Sequence, residues 1–201
     1  MTKEEENTVK TGIVVRKSDF KKALSAHKKF ALQGKNVEKS PLSWINFKTK
    51  DDVLKLTTTD GSRALLSELT VFTSWGDDFD FCISMSLASK LSLIKGDLDD
   101  IRIRYCGTHV EFFDEEFESN QILQTKPTDI AYPDIESLIP AKNNYVVSIV
   151  KTLIKDISAL NSKVVDLRFQ PKSPEAPILV EAGTEEFSQR AILMPYNKNP
   201  N

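Results

Sequence analysis

Apolar and polar positions alternate over short stretches of the chain, and helical spacing interrupts this alternation three times. Alternation over a few residues is typical of strands with one buried face. It predicts strands at residues 12–16, 42–48, 53–58, 62–71, 79–83, 100–105, 109–113, 118–125, 164–169, 178–181 and 187–194. Apolar residues three and four positions apart predict helices over residues 20–33, 86–95 and 144–157.

Turn and cap residues mark the ends of these elements. Ser18 and Asp19 are suited to cap the first helix, because their side chains accept hydrogen bonds from free amides, and Gly34 is suited to end it. The pairs at 51–52 and 60–61 predict tight turns, the second because Asp and Gly tolerate the positive φ of a hairpin. The predicted order is strand, helix and three strands, and it occurs three times.

This repeat suggests a division of the chain into four parts. Residues 1–11 are predicted to be a disordered acidic lead, and residues 12–128 contain the first two repeats. Residues 129–141 form a proline-bounded connector in which Ile135, Leu138 and Ile139 are expected to be buried. Residues 142–201 contain the third repeat, whose helix is predicted to start at Asn144.

Composition excludes several classes of protein. A chain of 201 residues with 40% hydrophobic content is long enough to bury a core. No run approaches the roughly 18 apolar residues of a membrane-spanning helix, and residues 1–7 lack the features of a signal peptide. We therefore expect a cytoplasmic protein. Adjacent acids such as Asp77 and Asp78 do not form a spaced catalytic set, so we expect no enzymatic activity.

Cysteine and histidine are scarce. The two cysteines, Cys82 and Cys106, lie in or beside predicted strands and are expected to be buried, reduced thiols. His27 and His109 lie far apart, and we expect neither to have a Cys or His partner at ligand spacing. We therefore expect neither structural zinc nor a cofactor.

Charge is distributed unevenly along the chain. The formal net charge is only −2, but lysines outnumber acids on the predicted helices, while acids collect in turns and strands. The helical lysines are Lys21, Lys22, Lys28, Lys29, Lys90, Lys95, Lys151 and Lys155. Each face could be an ordinary solvated surface, but a basic face that recurs on three helices favours contact with a polyanion.

Three stretches together resemble the β sliding clamp of bacterial replicative DNA polymerase, the DNA polymerase III beta subunit. They are LKLTTTDGSRA at residues 54–64, YPDIESLIP at residues 132–140 and LMP at residues 193–195. The resemblance extends over residues 12–196. It matches the family's middle domain, its connector and the second half of its last domain.

The resemblance implies an α+β fold, the DNA clamp fold, with three βαβββ repeats that make one and a half clamp domains. In this family, helices line a ring and strands form its outer sheet. The rings contain twelve repeats, so three repeats per chain imply a homotetramer. The helical lysines would then face encircled double-stranded DNA and bind its phosphates without reading sequence.

The resemblance also implies a hydrophobic groove for peptides of polymerases, clamp loaders and repair proteins. Its residues by motif match are Leu42, Thr59, Gly61, Arg63, Ala64, Pro133, Leu138, Ile192, Leu193, Met194 and Pro195. Ser62 and Tyr196 depart from the family pattern, so peptide preference is expected to differ. The alternative is a clamp-like interaction module or decoy, encoded by a phage or plasmid, that binds such peptides without encircling DNA. Leu193 and Met194 would serve only as core residues if no groove forms.

Overall fold

The computed structural model describes residues 11–32, 34, 40–93, 99–114, 121–128, 131–138, 165–168, 178–183 and 187–193. Within these ranges, eleven strands form one sheet with antiparallel pairing. The strands are β1 (Thr11–Arg16), β2 (Trp44–Lys50), β3 (Val53–Thr59), β4 (Arg63–Trp75), β5 (Asp80–Ser84), β6 (Asp100–Tyr105), β7 (Val110–Asp114), β8 (Gln121–Thr125), β9 (Val165–Arg168), β10 (Ile178–Gly183) and β11 (Phe187–Leu193). Each predicted strand has a counterpart here.

Two α-helices and two short 3-10 turns complete the described elements. The helices are α1 (Lys17–His27) and α2 (Met85–Leu91), and the 3-10 turns span Pro41–Ser43 and Glu136–Leu138. The helix predicted over residues 144–157 and most of the acidic lead lie outside the described residues. Thr11, which was assigned to the lead, is a buried residue of β1.

The long strand β4 joins the early and late parts of the chain. One of its edges pairs with β3, while its other edge pairs with β11 through residues 63–69 and with β1 through residues 71–75. The sheet order is β5-β2-β3-β4-β1-β6-β7-β8, and β11, β10 and β9 branch from β4. One sheet therefore connects the first repeat to the strands near residue 190.

The predicted turn between β2 and β3 is present and has an unusual backbone. Asp51 and Asp52 both adopt positive φ, at 52° and 56°. Two successive residues in this region define the tight hairpin turn whose twist matches that of the flanking strands. Asp tolerates this conformation better than most residues, so the Asp-Asp pair fits the connection.

Both ends of α1 differ from the prediction. The helix starts at Lys17 after Arg16, which contributes no side-chain cap, so Ser18 and Asp19 lie in the first turn instead. It ends at His27 rather than near residue 33, and the chain continues in a tighter turn through Phe30. The buried Phe30 and Ala31 continued the apolar spacing, which made the helix look longer than it is.

The second helix is close to its prediction. It starts at Met85, and the Ser84 hydroxyl caps it by accepting a hydrogen bond from the Leu87 amide at 3.3 Å. Its buried residues are Met85, Ala88 and Leu91, whereas Leu87 is only half-buried. The last two residues of the predicted helix, 94 and 95, lie outside the described part of the chain.

Both helices pack on the same apolar core. Phe47 lies at its centre, stacked on Phe81 at a ring-centroid distance of 5.1 Å and close to Phe20 of α1 and to Phe112. The residues of β2 that alternate with Phe47 point to the opposite face of the sheet. Among them, Asn46 lines a cavity beneath the connector. The helices and the connector therefore cover opposite faces of the sheet.

Candidate functional site

The hairpin between β3 and β4 has a tip fixed by its own side chains. Gly61 has a φ of 91°, which disfavours any residue with a side chain. The Asp60 carboxylate accepts hydrogen bonds from the Ser62 amide, the Ser62 hydroxyl and the Arg63 amide. Partial burial raises the pKa of Asp60, but its hydrogen bonds from Arg63 and Ser62 outweigh that effect and hold the pKa below its ordinary value. The tip is thus a rigid, charged turn.

Arg63 links this tip to the end of α1. Its Nε donates to Asp60 Oδ2 at 2.8 Å, its Nη2 donates to the Lys29 carbonyl at 3.0 Å, and its guanidinium lies 5.4 Å from the centre of the Phe30 ring. Thr59 Oγ1 donates to the Arg63 carbonyl at 2.9 Å and accepts from the Gly61 amide. Three of the predicted groove residues therefore form one connected hairpin.

Leu42 lies against this hairpin. It sits in the 3-10 turn before β2, and a methyl group built at Gly61 would lie 3.5 Å from Leu42 Cδ1. The side chain is half-buried, so part of it is exposed beside the tip. The structure thus brings two of the predicted groove residues, Leu42 and Gly61, close together.

The strand β11 places its last residues beside the same hairpin. Ile192 is opposite Ala64, and Leu193 is opposite Arg63. Ala64 and Ile192 form a small buried cluster with Leu179 and with Ile135 of the connector. These two groove candidates therefore lie beneath Ile135, while Met194 and Pro195 lie outside the described residues.

The connector presents its remaining groove candidates to solvent. Pro133 is exposed, and Leu138 is 47% exposed at the end of the second 3-10 turn. The prediction that Leu138 is buried is therefore wrong, whereas the same prediction for Ile135 is confirmed. Ile139 lies outside the described residues. The turn is held in place by the Asp134 carboxylate, which accepts from the Ser137 amide, and by an ion pair of 2.9 Å between Lys55 and Glu136.

A cavity of about 380 Å³ lies between the connector and the outer face of β2, β3 and β5. Asn46 Nδ2 donates to Asp80 Oδ1 at 2.6 Å on its floor, and the Tyr132 hydroxyl donates to the Trp44 carbonyl at 3.3 Å. Burial raises the pKa of the Cys82 thiol to about 11 and also raises the pKa of Tyr132. Sequence reasoning missed this cavity, because its walls come from segments far apart in the chain.

The described lysines of the two helices are mostly exposed. Lys22, Lys28, Lys29 and Lys90 are exposed and Lys21 is half-buried. Lys28 and Lys29 belong to the turn after α1 rather than to the helix itself. The two helices lie side by side, so these lysines share one side of the molecule. Lys95, Lys151 and Lys155 lie outside the described residues.

His27 belongs to the interior rather than to any exposed site. It is fully buried, with Nδ1 2.8 Å from Thr58 Oγ1 and Nε2 3.0 Å from Ser67 Oγ. Burial lowers the pKa of His27 to about 3, so the ring is neutral near pH 7. A neutral imidazole donates through one nitrogen and accepts through the other, which matches two hydroxyl partners.

The cysteines and His109 correct one expectation from the sequence. Both thiols are free and buried, as predicted. However, Cys106, His109 and Glu111 bring one ligand atom each within 4.8 Å of one another. The prediction that neither histidine has a Cys at ligand spacing is therefore wrong, since Cys106 and His109 are three residues apart.

Comparison with known proteins gives structural matches only. No protein-family model matches the chain, and no curated protein sequence matches it either. Neither α-helix in the described ranges is long and apolar enough to cross a membrane.

Solved structures of bacterial sliding clamps superimpose on most of the chain. The DNA polymerase III subunit beta of Borrelia burgdorferi matches with a TM-score of 0.70 and 15% identity, over 94% of this chain and 64% of that one. The DNA polymerase sliding clamp of Pseudomonas aeruginosa matches with a TM-score of 0.72 and 12% identity, over 92% and 66%. The DNA polymerase III beta chain of Streptococcus pneumoniae matches with a TM-score of 0.71 and 19% identity, over 98% and 67%.

The likeness therefore covers nearly all of this chain but only about two thirds of the first two of these proteins. At identities below 20%, it bears on the fold and leaves the function to be argued from the residues. The α+β class and the clamp architecture predicted from the sequence are confirmed. The chain has the fold of the bacterial β sliding clamps.

Proposed function

We propose that the protein is a DNA sliding clamp that encircles duplex DNA and tethers a polymerase or other replication and repair proteins through a peptide groove. The observation that carries this proposal is that both β1 and β11 pair with the same edge of β4. This pairing brings the Asp60–Gly61 hairpin beside the end of β11, and the two lysine-bearing helices pack on one face of the same sheet. This role would place the protein in the bacterial cytoplasm.

The basic side supports contact with DNA. Exposed ammonium groups that meet phosphates release counterions, which gives binding that depends on salt and not on sequence. We expect the triple variant Lys22→Glu, Lys28→Glu and Lys29→Glu to lose retention on nicked circular DNA. A matched control is Lys48→Glu with Lys50→Glu, because these two exposed lysines lie on the face of β2 opposite the helices. Equal retention by both variants would contradict the proposed orientation.

Ring closure requires neighbouring chains to pair. In the described part of the chain, β8 is paired only with β7, and β9 only with β10. An unpaired strand edge is a template for another strand, so pairing of β8 with β9 of the next chain would extend the sheet around a ring. With three repeats in each chain and twelve in a ring, we propose a homotetramer. A monomeric mass at micromolar concentration in light scattering would contradict it.

The exposed end of the connector offers a direct test of the groove. Leu138→Ala should weaken binding of a fluorescent polymerase peptide by about 1 to 3 kcal/mol if Leu138 is an anchor. Phe72→Ala is the matched control, because Phe72 is 48% exposed against 47% for Leu138 and lies on β4 among residues paired with β1 rather than β11. Equal affinity of the two variants would remove Leu138 from the groove.

Topological retention separates a clamp from a peptide-binding decoy. A ring stays on nicked circular DNA and slides off once the DNA is linearised. A decoy binds the same peptides but shows no difference between the two DNA forms. Peptide binding without retention would therefore leave the groove in place and refute the encircling role.

A further inference from the structure

Three potential metal ligands meet at the turn between β6 and β7. Cys106 follows β6 directly, His109 precedes β7, and Glu111 is the second residue of β7. Cys106 Sγ lies 3.8 Å from Glu111 Oε2, and His109 Nε2 lies 3.4 Å from Glu111 Oε1. None of these residues belongs to the proposed groove or to the lysine side.

We propose that Cys106, His109 and Glu111 bind a divalent transition-metal ion of the zinc class. Thiolate, imidazole and carboxylate are the ligand types that Zn²⁺ takes in proteins. Bonds of 2.0 to 2.3 Å at tetrahedral angles put ligand atoms about 3.3 to 3.8 Å apart. The 3.4 Å between His109 Nε2 and Glu111 Oε1 falls in that range, and one ligand atom of each residue lies within 4.8 Å of the others, so Cys106 has to move by about 1 Å to complete the site.

The backbone of the turn holds Cys106 and His109 together before any ion binds. The Cys106 amide donates to the His109 carbonyl at 2.9 Å, and the Thr108 amide donates to the Cys106 carbonyl at 2.8 Å. Gly107 supplies the positive φ of 73° that the turn needs. A preformed loop lowers the entropy lost when the ligands are ordered around an ion.

Neighbouring side chains orient two of the ligands. Arg104 Nε donates to Glu111 Oε2 at 2.6 Å, which leaves Oε1 directed towards His109. The Thr108 hydroxyl lies 3.1 Å from His109 Nδ1, which leaves Nε2 as the ligand atom. Partners of this kind fix the orientation of metal ligands in known sites.

Burial and charge also suit a bound ion. Cys106 is buried, whereas the His109 side chain is 33% exposed, so an ion can enter from the histidine side. A Cys106 thiolate would add a negative charge beside the Glu111 carboxylate, which is already paired with Arg104. Three protein ligands leave a fourth position for water.

The test uses the full chain and the metal ions alone. Co²⁺ should bind one ion per chain with the absorption band of a cobalt–thiolate bond, and Zn²⁺ should displace it. Cys106→Ala should abolish the band, whereas Cys82→Ala, the matched change at the other buried thiol, should keep it. His109→Gln should weaken Zn²⁺ binding by at least about tenfold, since even the loss of an outer partner costs that much.

His109→Gln keeps the proposal testable if Cys106→Ala does not fold, because His109 is partly exposed. Binding of Co²⁺ without a thiolate band would overturn the proposal. So would a band that survives Cys106→Ala, or a Zn²⁺ affinity that His109→Gln leaves unchanged. None of these results bears on DNA retention or peptide binding, so the clamp role stands or falls separately.

Discussion

The apolar core under α1 and the seam between β4 and β11 are built in different ways. The core is a cluster of aromatic rings, in which Phe47 contacts Phe20 and Phe112. The seam buries polar groups at its centre, with Gln189 of β11 donating to the Ser67 hydroxyl of β4 at 3.4 Å. Apolar packing tolerates many combinations of similar volume, whereas a polar pair stabilises only one arrangement of donors and acceptors.

The two faces of the seam differ as well. Towards the helices, Ser67 connects Gln189 to His27. Towards the connector, Arg190 reaches Glu68 through two hydrogen bonds of 2.8 and 3.4 Å. The seam is therefore held by directional contacts on both sides, and the strand register that aligns the hairpin with β11 depends on them.

The largest effect should come from breaking the core. Phe47→Ala is expected to lower the free energy of unfolding by about 3 to 5 kcal/mol, because it leaves a cavity among rings that cannot collapse fully. Chemical denaturation measures it. Phe72→Ala, on an exposed phenylalanine, is the control and should change stability by about 0.5 kcal/mol or less. Similar losses in both variants would mean that the core is loosely packed.

Disrupting the seam on its helix side should lower the free energy of unfolding by a smaller amount. Ser67→Ala removes the hydroxyl that meets His27 Nε2 and Gln189 Nε2, which is expected to cost about 1 to 3 kcal/mol. Ser25→Ala, on the exposed side of α1, is the matched control and should be nearly neutral. If the two serine variants unfold at the same denaturant concentration, the polar network contributes nothing to stability.

Acid should weaken the same network without any mutation. The pKa of His27 is about 3 in the folded chain and near 6.5 when unfolded, so the unfolded state binds more protons between these values. The free energy of unfolding should therefore be highest above pH 6.5 and fall by up to about 1.4 kcal/mol per pH unit below it. His27→Gln removes the titrating group and should flatten this slope. An unchanged slope in denaturation series at several pH values would assign it to other groups.

The contacts on the connector side of the seam should contribute least to the free energy of unfolding. A double-mutant cycle with Arg190→Met and Glu68→Gln is expected to give a coupling energy of about 0.2 to 1 kcal/mol, because both side chains are partly exposed. Added salt should reduce it, since screening weakens exposed ion pairs. If this coupling energy exceeded the stability lost in Ser67→Ala, the contacts on the connector side would stabilise the seam more than those on the helix side.

Local pattern was enough to predict the strands. Alternation located each of them, and the turn residues at 51–52 and 60–61 marked two hairpins, because these signals act between near neighbours. The end of α1 could not be predicted this way. Phe30 and Ala31 keep the helical spacing, although tertiary packing buries them from a turn.

Contacts between distant segments were beyond local pattern. The position of His27 fits the apolar spacing of its helix, but its partners Thr58 and Ser67 come from strands 31 and 40 residues away. The groove motifs were found by resemblance, yet the cover that Ile135 forms over Ala64 and Ile192 depends on how the connector folds back. The spacing of Cys106 and His109, by contrast, is a local signal that the sequence itself shows.

The pairing of β11 with β4 affects how the chain assembles while it is being synthesised. The hairpin of β3 and β4 closes locally, but Gln189, which contacts Ser67, is made 122 residues later. At ribosomal speeds of about 5 to 20 residues per second, this interval lasts about 6 to 25 seconds. Throughout it, half of one edge of β4 offers unpaired amides and carbonyls to other strands. Glu68, which later binds Arg190, places a charge beside that edge, and charged side chains disfavour the pairing of exposed edges with other chains.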